Sequence, residues 1–227
     1  KTLAPVRVAG GITLVYETLD QVLSPRKSWI YMPGQRRLRR TPDLAYDTAD
    51  TNTDSIRTID QVDIFNGAPD YYEWHLIGKQ ELYIPYNAYR VHQGDLKVND
   101  IVKAQHLDSQ YLRYEAHRVW VVEAKLRIGF SHRYTTRRYY VDEDSWSIVL
   151  AEEYDSKGNL LQVTEAHTIN YYDIQLVYPT LEVTYDLENK RYYVEGLDNE
   201  RGSTINFSMQ LSPEEFSPNA IRRSSVR

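Results

Sequence analysis

From Arg113 to Arg127 the side chains alternate in kind with a period of two. The even positions Tyr114, Ala116, Arg118, Trp120, Val122, Ala124 and Leu126 are apolar except for Arg118. The odd positions are polar except for Val119 and Val121. A period of two places successive side chains on opposite faces of an extended strand, so a dry even face and a wet odd face are expected here. The same pattern recurs in Trp146, Ile148, Leu150 and Tyr154, in Leu181, Val183 and Tyr185, and in Ile12, Leu14 and Tyr16. Half-solvated strands belong to antiparallel sheets, because parallel strands are buried on both faces and carry continuous apolar runs.

The connections agree with that assignment. Asp142-Glu143-Asp144-Ser145, Asp155-Ser156-Lys157-Gly158-Asn159 and Leu187-Glu188-Asn189-Lys190 are short polar segments between strand-like runs, as hairpins require. Helical signals are few. Asp54 is placed to cap a helix from Ser55 to about Phe65, Leu96 to Val102 fits one or two turns, and the tail from Ser212 to Arg223 carries turns opened by Pro. The stretch Thr41 to Asp54 has the composition of a long surface loop. The expectation is a mostly β, antiparallel fold with two or three short helices, forming one domain over residues 1–227.

Several function classes are excluded or disfavoured. Lys plus Arg number 27 against 32 Asp plus Glu, a net charge of −5, which opposes broad binding to nucleic acid. The absence of cysteine removes thiolate chemistry and Cys-based metal sites. The longest apolar runs, Val119 to Val122 and Ile148 to Ala151, are far short of the roughly 20 residues of a transmembrane helix. No glycine-rich phosphate loop and no G-x-S-x-G elbow occurs, and Gly202-Ser203-Thr204 sits in a polar turn with no base in view. Histidines at 75, 92, 106, 117, 132 and 167 form no close pair along the chain. They are expected to be solvent-facing or hydrogen-bonded, with no metal or other cofactor. Asp50-x-Asn52-x-Asp54 opens like a calcium loop, but Ser55 stands where that loop needs Gly and Gln61 where it needs Glu. No catalytic residues are assigned, and an enzyme is not expected.

The binding candidates come from aromatic residues and from charges on dry faces. Twenty Tyr and four Trp supply apolar area with polar handles. Arg118 and Glu152 interrupt otherwise apolar rows, and an unpaired buried charge is costly, so each should be paired or border a wet cavity. The ligand-binding candidates are Trp29, Tyr31, Trp74, Leu76, Tyr114, Arg118, Trp120, Tyr140, Trp146, Ile148 and Glu152. The run Arg36-Arg37-Leu38-Arg39-Arg40 is expected on a strand, as a solvated edge that resists edge-to-edge pairing or as a docking patch for an acidic partner.

Five blocks carry a family resemblance: Gly34 to Arg40, Phe65 to Asp70, Tyr83 to Arg90, His117 to Ala124 and Tyr140 to Trp146. They resemble an uncharacterised family of exported proteobacterial proteins, catalogued as a domain of unknown function. The resemblance covers nearly the whole chain and makes it similar to the C-terminal portion of a longer precursor. It implies a periplasmic location and a fold similar to the LolA/LolB lipoprotein carriers, an open half-barrel of strongly curved antiparallel sheet. It also implies a hydrophobic or lipid-like ligand and work beside an envelope transport component, with no binding residue to carry over. The alternative function is a protein-interaction or scaffold module of the envelope, using a strand edge and the Arg36 to Arg40 patch.

Overall fold

The computed structural model describes residues 9–41, 45–201 and 205–224; Gly202-Ser203-Thr204 and residues 42–44 of the expected surface loop lie outside them. The described residues are mostly β, and the chain divides into two compact units, one from residues 1–45 and 205–227, the other from 46–204. The first unit holds a three-stranded antiparallel sheet of β1 (Ile12–Tyr16), β2 (Lys27–Met32) and β3 (Arg37–Thr41). Its core is Leu14, Tyr31 and Ile221, the last from the terminal helix Pro218–Ser224, with Ile12, Trp29 and Leu38 packed around them. Arg37, Arg39 and Arg40 stand exposed on edge strand β3, while Leu38 is drawn into that core.

The second unit holds seven antiparallel strands in sequence order, β4 (Tyr72–Pro85), β5 (Tyr114–Leu126), β6 (Thr136–Asp142), β7 (Ile148–Tyr154), β8 (Leu160–Tyr171), β9 (Leu176–Asp186) and β10 (Arg191–Glu195). Neither sheet closes into a barrel. The three polar turns are hairpins as expected. In the β7–β8 turn, Asp155 accepts the amides of Lys157 and Asn159 (both 2.8 Å), and Gly158 takes the left-handed φ of 81°. Side-chain acceptance of backbone amides is why Asp and Asn dominate such turns.

Among the described residues four bulges interrupt the ladders of this sheet, and two of them, on β4 and β7, decide which face the site residues take. Ile77 is the extra residue between Leu76 and Gly78, and Val149 the extra residue opposite Tyr140 and Val141. Each bulge flips the face presented by the residues beyond it on its strand. Ile148 therefore packs with Trp74 and Tyr139, whereas Leu150 packs with Val121 and Tyr140 on the other side. The dry row expected from Trp146 through Tyr154 is thus split between faces. On β5, the expected wet positions Val119, Val121 and Glu123 are buried and the expected dry positions Tyr114, Ala116 and Arg118 are exposed. The reason is that the odd face receives Leu82, Ile84, Tyr140 and Val149.

Each face of this sheet is partly covered. Segment 86–113, with the one-turn helix α1 (Val98–Ile101), lays Val91, Ile101 and Leu107 on Leu181 and Val183 of the second face. Segment 46–71 covers the first face through Ile64 and Phe65. The helix expected from Ser55 to Phe65 does not form. Asp54, Ser55, Asp63 and Ile64 all take left-handed φ (52°, 61°, 51° and 67°), which no α-helix admits, and only the tight turns Thr51–Thr53 and Ile59–Gln61 remain. Asp50, not Asp54, does the capping, accepting the Asn52 amide at 2.9 Å. The helical turns expected near Leu96–Val102 and in the tail are present, the latter as Pro213–Phe216 with its Ser212/Glu215 capping box and as Pro218–Ser224.

Candidate functional site

The first face has a covered half, where a buried charged row adjoins the apolar cluster of Ile64, Tyr72, Tyr139 and Ala151, and an uncovered half that is apolar. Beneath segment 46–71, Arg137, Glu153 and Gln162 form a row across β6, β7 and β8, each fully buried. Asp60 of the covering segment accepts from Arg137 Nη1 at 2.7 Å and Nη2 at 3.1 Å, with His132 Nε2 at 3.3 Å. Burial opposes its ionisation, yet Arg137 and His132 hold its carboxyl far below the usual range. Gln162 donates to the Ile56 carbonyl (2.6 Å) and accepts from Gln61 (3.1 Å). Arg57 forms a two-nitrogen pair with Glu195. Buried pairs of this kind are costly to break on one side, which ties the segment to the sheet.

Two carboxyls under this cover lack a full counter-charge. Burial pushes Glu153 up to about 7 although Arg137 pulls the other way, and burial pushes Glu182 up to about 7 with Glu195 and Asp63 adding to the effect.

The uncovered half is apolar. Leu76 on β4 faces Val122 on β5, Trp120 faces Val141 on β6, and Val141 faces Ile148 on β7. Leu76 is 64% exposed, and Trp120, Val122, Val141 and Ile148 are half-buried. At the border with the covered half, Trp74 stacks on Tyr139 (centroids 5.9 Å) and meets Phe65 edge-on (5.2 Å). The opposite border is charged. Glu143 takes Lys79 Nζ on one oxygen and Arg118 Nε on the other, both at 2.5 Å, and Lys79 Nζ also lies 4.5 Å from the Trp120 ring centroid. The bond from Lys79, and then that from Arg118, hold the Glu143 carboxyl below its ordinary value. The result is an apolar tract across four strands with two cations, Lys79 and Arg118, and two carboxylates, Glu143 and the cross-strand neighbour Glu81, at one end.

The structure brings together Trp74, Leu76, Arg118, Trp120 and Ile148 from the residues singled out in the sequence. Tyr140 and Glu152 lie on the second face, where Glu152 accepts from Tyr140 (3.0 Å) and Tyr154 (2.7 Å) beside the Arg138–Glu123 pair. Arg118 and Glu152 therefore do not share a site. Tyr114 donates to Glu165 (3.0 Å). Trp146 sits on the β6–β7 turn at φ 57° and is 71% exposed. Trp29 and Tyr31 belong to the three-stranded unit, Tyr31 as core and Trp29 edge-on to Tyr16 (4.8 Å). Sequence reasoning missed Lys79, Val122, Val141 and Glu143 as members of the tract. Glu143 was visible only as a turn residue, and Lys79 reaches this face only because of the bulge before it.

The chain belongs to the family described as protein of unknown function (DUF1329), whose model matches residues 1–222. An uncharacterized protein of Pseudomonas aeruginosa is 44% identical over the entire chain, and the chain spans 50% of that relative's length. A crystal structure from Vibrio parahaemolyticus, described as an outer membrane lipoprotein-sorting protein domain, superposes with a TM-score of 0.63 at 15% identity, covering 97% of this chain and 75% of that one. A DUF1329 family protein from Desulfovibrio piger superposes with a TM-score of 0.55 at 16% identity, covering 96% and 74%. The fold is thus shared with a lipoprotein-sorting domain, as the sequence resemblance implies.

Proposed function

We propose that this family member binds a lipid or other amphipathic molecule without chemistry, acting as a periplasmic carrier that hands its cargo to or from an envelope transport component. One observation carries the proposal: the sheet buries a charged row and leaves an adjoining apolar tract in solvent. Contiguous exposed apolar surface bordered by polar groups marks a binding surface. The ligand's apolar part would lie along Leu76, Val122, Val141 and Ile148, and its polar head would meet Lys79 and Arg118. The fold shared with a lipoprotein-sorting domain supports the same assignment.

The test is native mass spectrometry of the purified protein, followed by titration with a fluorescent acyl-chain probe. The expected result is a co-purified lipid mass and saturable one-to-one binding. Leu76→Glu is expected to weaken the probe by at least about 10-fold, because burying one Leu side chain contributes about 1.5–3 kcal/mol. A protein that carries no ligand and binds no probe, while remaining folded, would refute the proposal.

A further inference from the structure

A second cluster lies on the other face, where strand pairing brings together groups that are far apart in the chain. His117 on β5 lies beside Asp142, the last residue of β6, and Asp144 in the β6–β7 turn. His117 Nδ1 is 3.0 Å from Asp142 Oδ1 and 3.8 Å from Asp144 Oδ2, and the three ligand atoms all fall within 4.8 Å of one another. A tetrahedral ion with bonds near 2.0–2.1 Å separates its ligands by about 3.3 Å, so these spacings bracket the requirement.

The surroundings resemble a prepared outer shell. Asp142 is fully buried; its second oxygen accepts the Ser145 amide (2.8 Å) and hydroxyl (2.7 Å), and its first shares a hydrogen bond with His117 Nδ1 (3.0 Å), the proton that a bound metal would replace. The other ring nitrogen, Nε2, has Glu115 Oε2 at 4.0 Å, and Glu115 is held in turn by Asn87 (2.9 Å) and Arg113 (2.7 Å). A metal-bound histidine usually donates its free N–H to a carboxylate; Glu115 stands in ion-pair range but beyond hydrogen-bond distance, and would take that role by closing about 1 Å. The Tyr86 ring, 4.1 Å from the imidazole, fixes its plane. Asp144 is 69% exposed, which leaves a solvent approach and room for a water as fourth ligand.

We infer that His117, Asp142 and Asp144 form a binding site for a borderline divalent transition metal of the zinc type. One imidazole and two carboxylates suit zinc or cobalt better than the all-oxygen coordination preferred by calcium or magnesium. This inference does not depend on the carrier reading, since the site lies across the sheet from the apolar tract.

The test is calorimetric titration of tag-free protein with Zn²⁺, repeated with Mg²⁺, and an absorption spectrum with Co²⁺. The expected result is one saturable Zn²⁺ equivalent, little response to Mg²⁺, and a visible tetrahedral Co²⁺ band. Asp144→Asn is the primary variant, because its exposed side chain is dispensable to the fold; it should weaken Zn²⁺ at least about 10-fold, and Glu115→Gln should weaken it about 10–100-fold. His117→Gln should abolish the Co²⁺ band, with circular dichroism checking that the variant is folded. No saturable Zn²⁺ binding, or binding unchanged by Asp144→Asn and His117→Gln in folded protein, would overturn the inference.

Discussion

Glu153 is the residue on which the covered half of the sheet is most sensitive to pH. Its folded value near 7 lies above the ordinary 4.5, so the folded state holds its proton where the unfolded chain has lost it. Stability must therefore fall as pH rises from about 4.5 to about 7 and level off above, with roughly 3–4 kcal/mol as the upper bound. Glu182 acts in the same direction over the same window. Asp60 has the opposite sign: its depressed value contributes stability that is lost only at acid pH. Glu153→Gln should flatten the decline between about pH 5 and 7.5 and raise the melting temperature at about pH 8. Denaturant melts across that range check this, and an unchanged slope would contradict it. Arg137 is the counterpart. Arg137→Leu strands Asp60 under the cover and should destabilise the fold by about 3–5 kcal/mol at neutral pH, as urea titration would show.

At the scale of elements, bulges and glycines decide which side chains share a face. Gly196 follows β10 at φ 92°, and a Cβ there would meet the Thr180 carbonyl oxygen at 3.0 Å. Gly196→Ala should cost about 1–3 kcal/mol from strain and close contact, measurable by thermal melting, while leaving acyl-probe affinity unchanged. The strands and their hairpin turns were legible in the sequence because alternation and Asp/Asn/Gly turn chemistry are local signals. Trp74, Leu76, Arg118 and Trp120 were visible one by one as strand residues, but their grouping apart from Tyr140 and Glu152 was not. The bulges at Ile77 and Val149 were not, since nothing in the local alternation announces an extra residue, and they moved Lys79 and Ile148 to the first face. The failed helix after Asp54 has a related cause. Its residues satisfy the helical period, but Asp60, Gln61 and Arg57 bond to Arg137, Gln162 and Glu195 on distant strands. Those tertiary bonds outweigh a weak helical preference.

In the molecule as a whole one asymmetry decides what the sheet leaves open: segment 46–71 lies over the charged row and not over the apolar tract beside it. Exposed Leu76 and half-exposed Trp120 are then kept as a surface for something that the described residues do not supply. The most direct measurement is photolabelling with a diazirine-bearing acyl chain and mapping of the labelled peptides. Adducts are predicted on β4 to β7 at Leu76, Trp120, Val122, Val141 and Ile148, with competition by unlabelled lipid. Adducts confined to Trp29 and Tyr31, or to the second face around Tyr140 and Glu152, would contradict the assignment of the site.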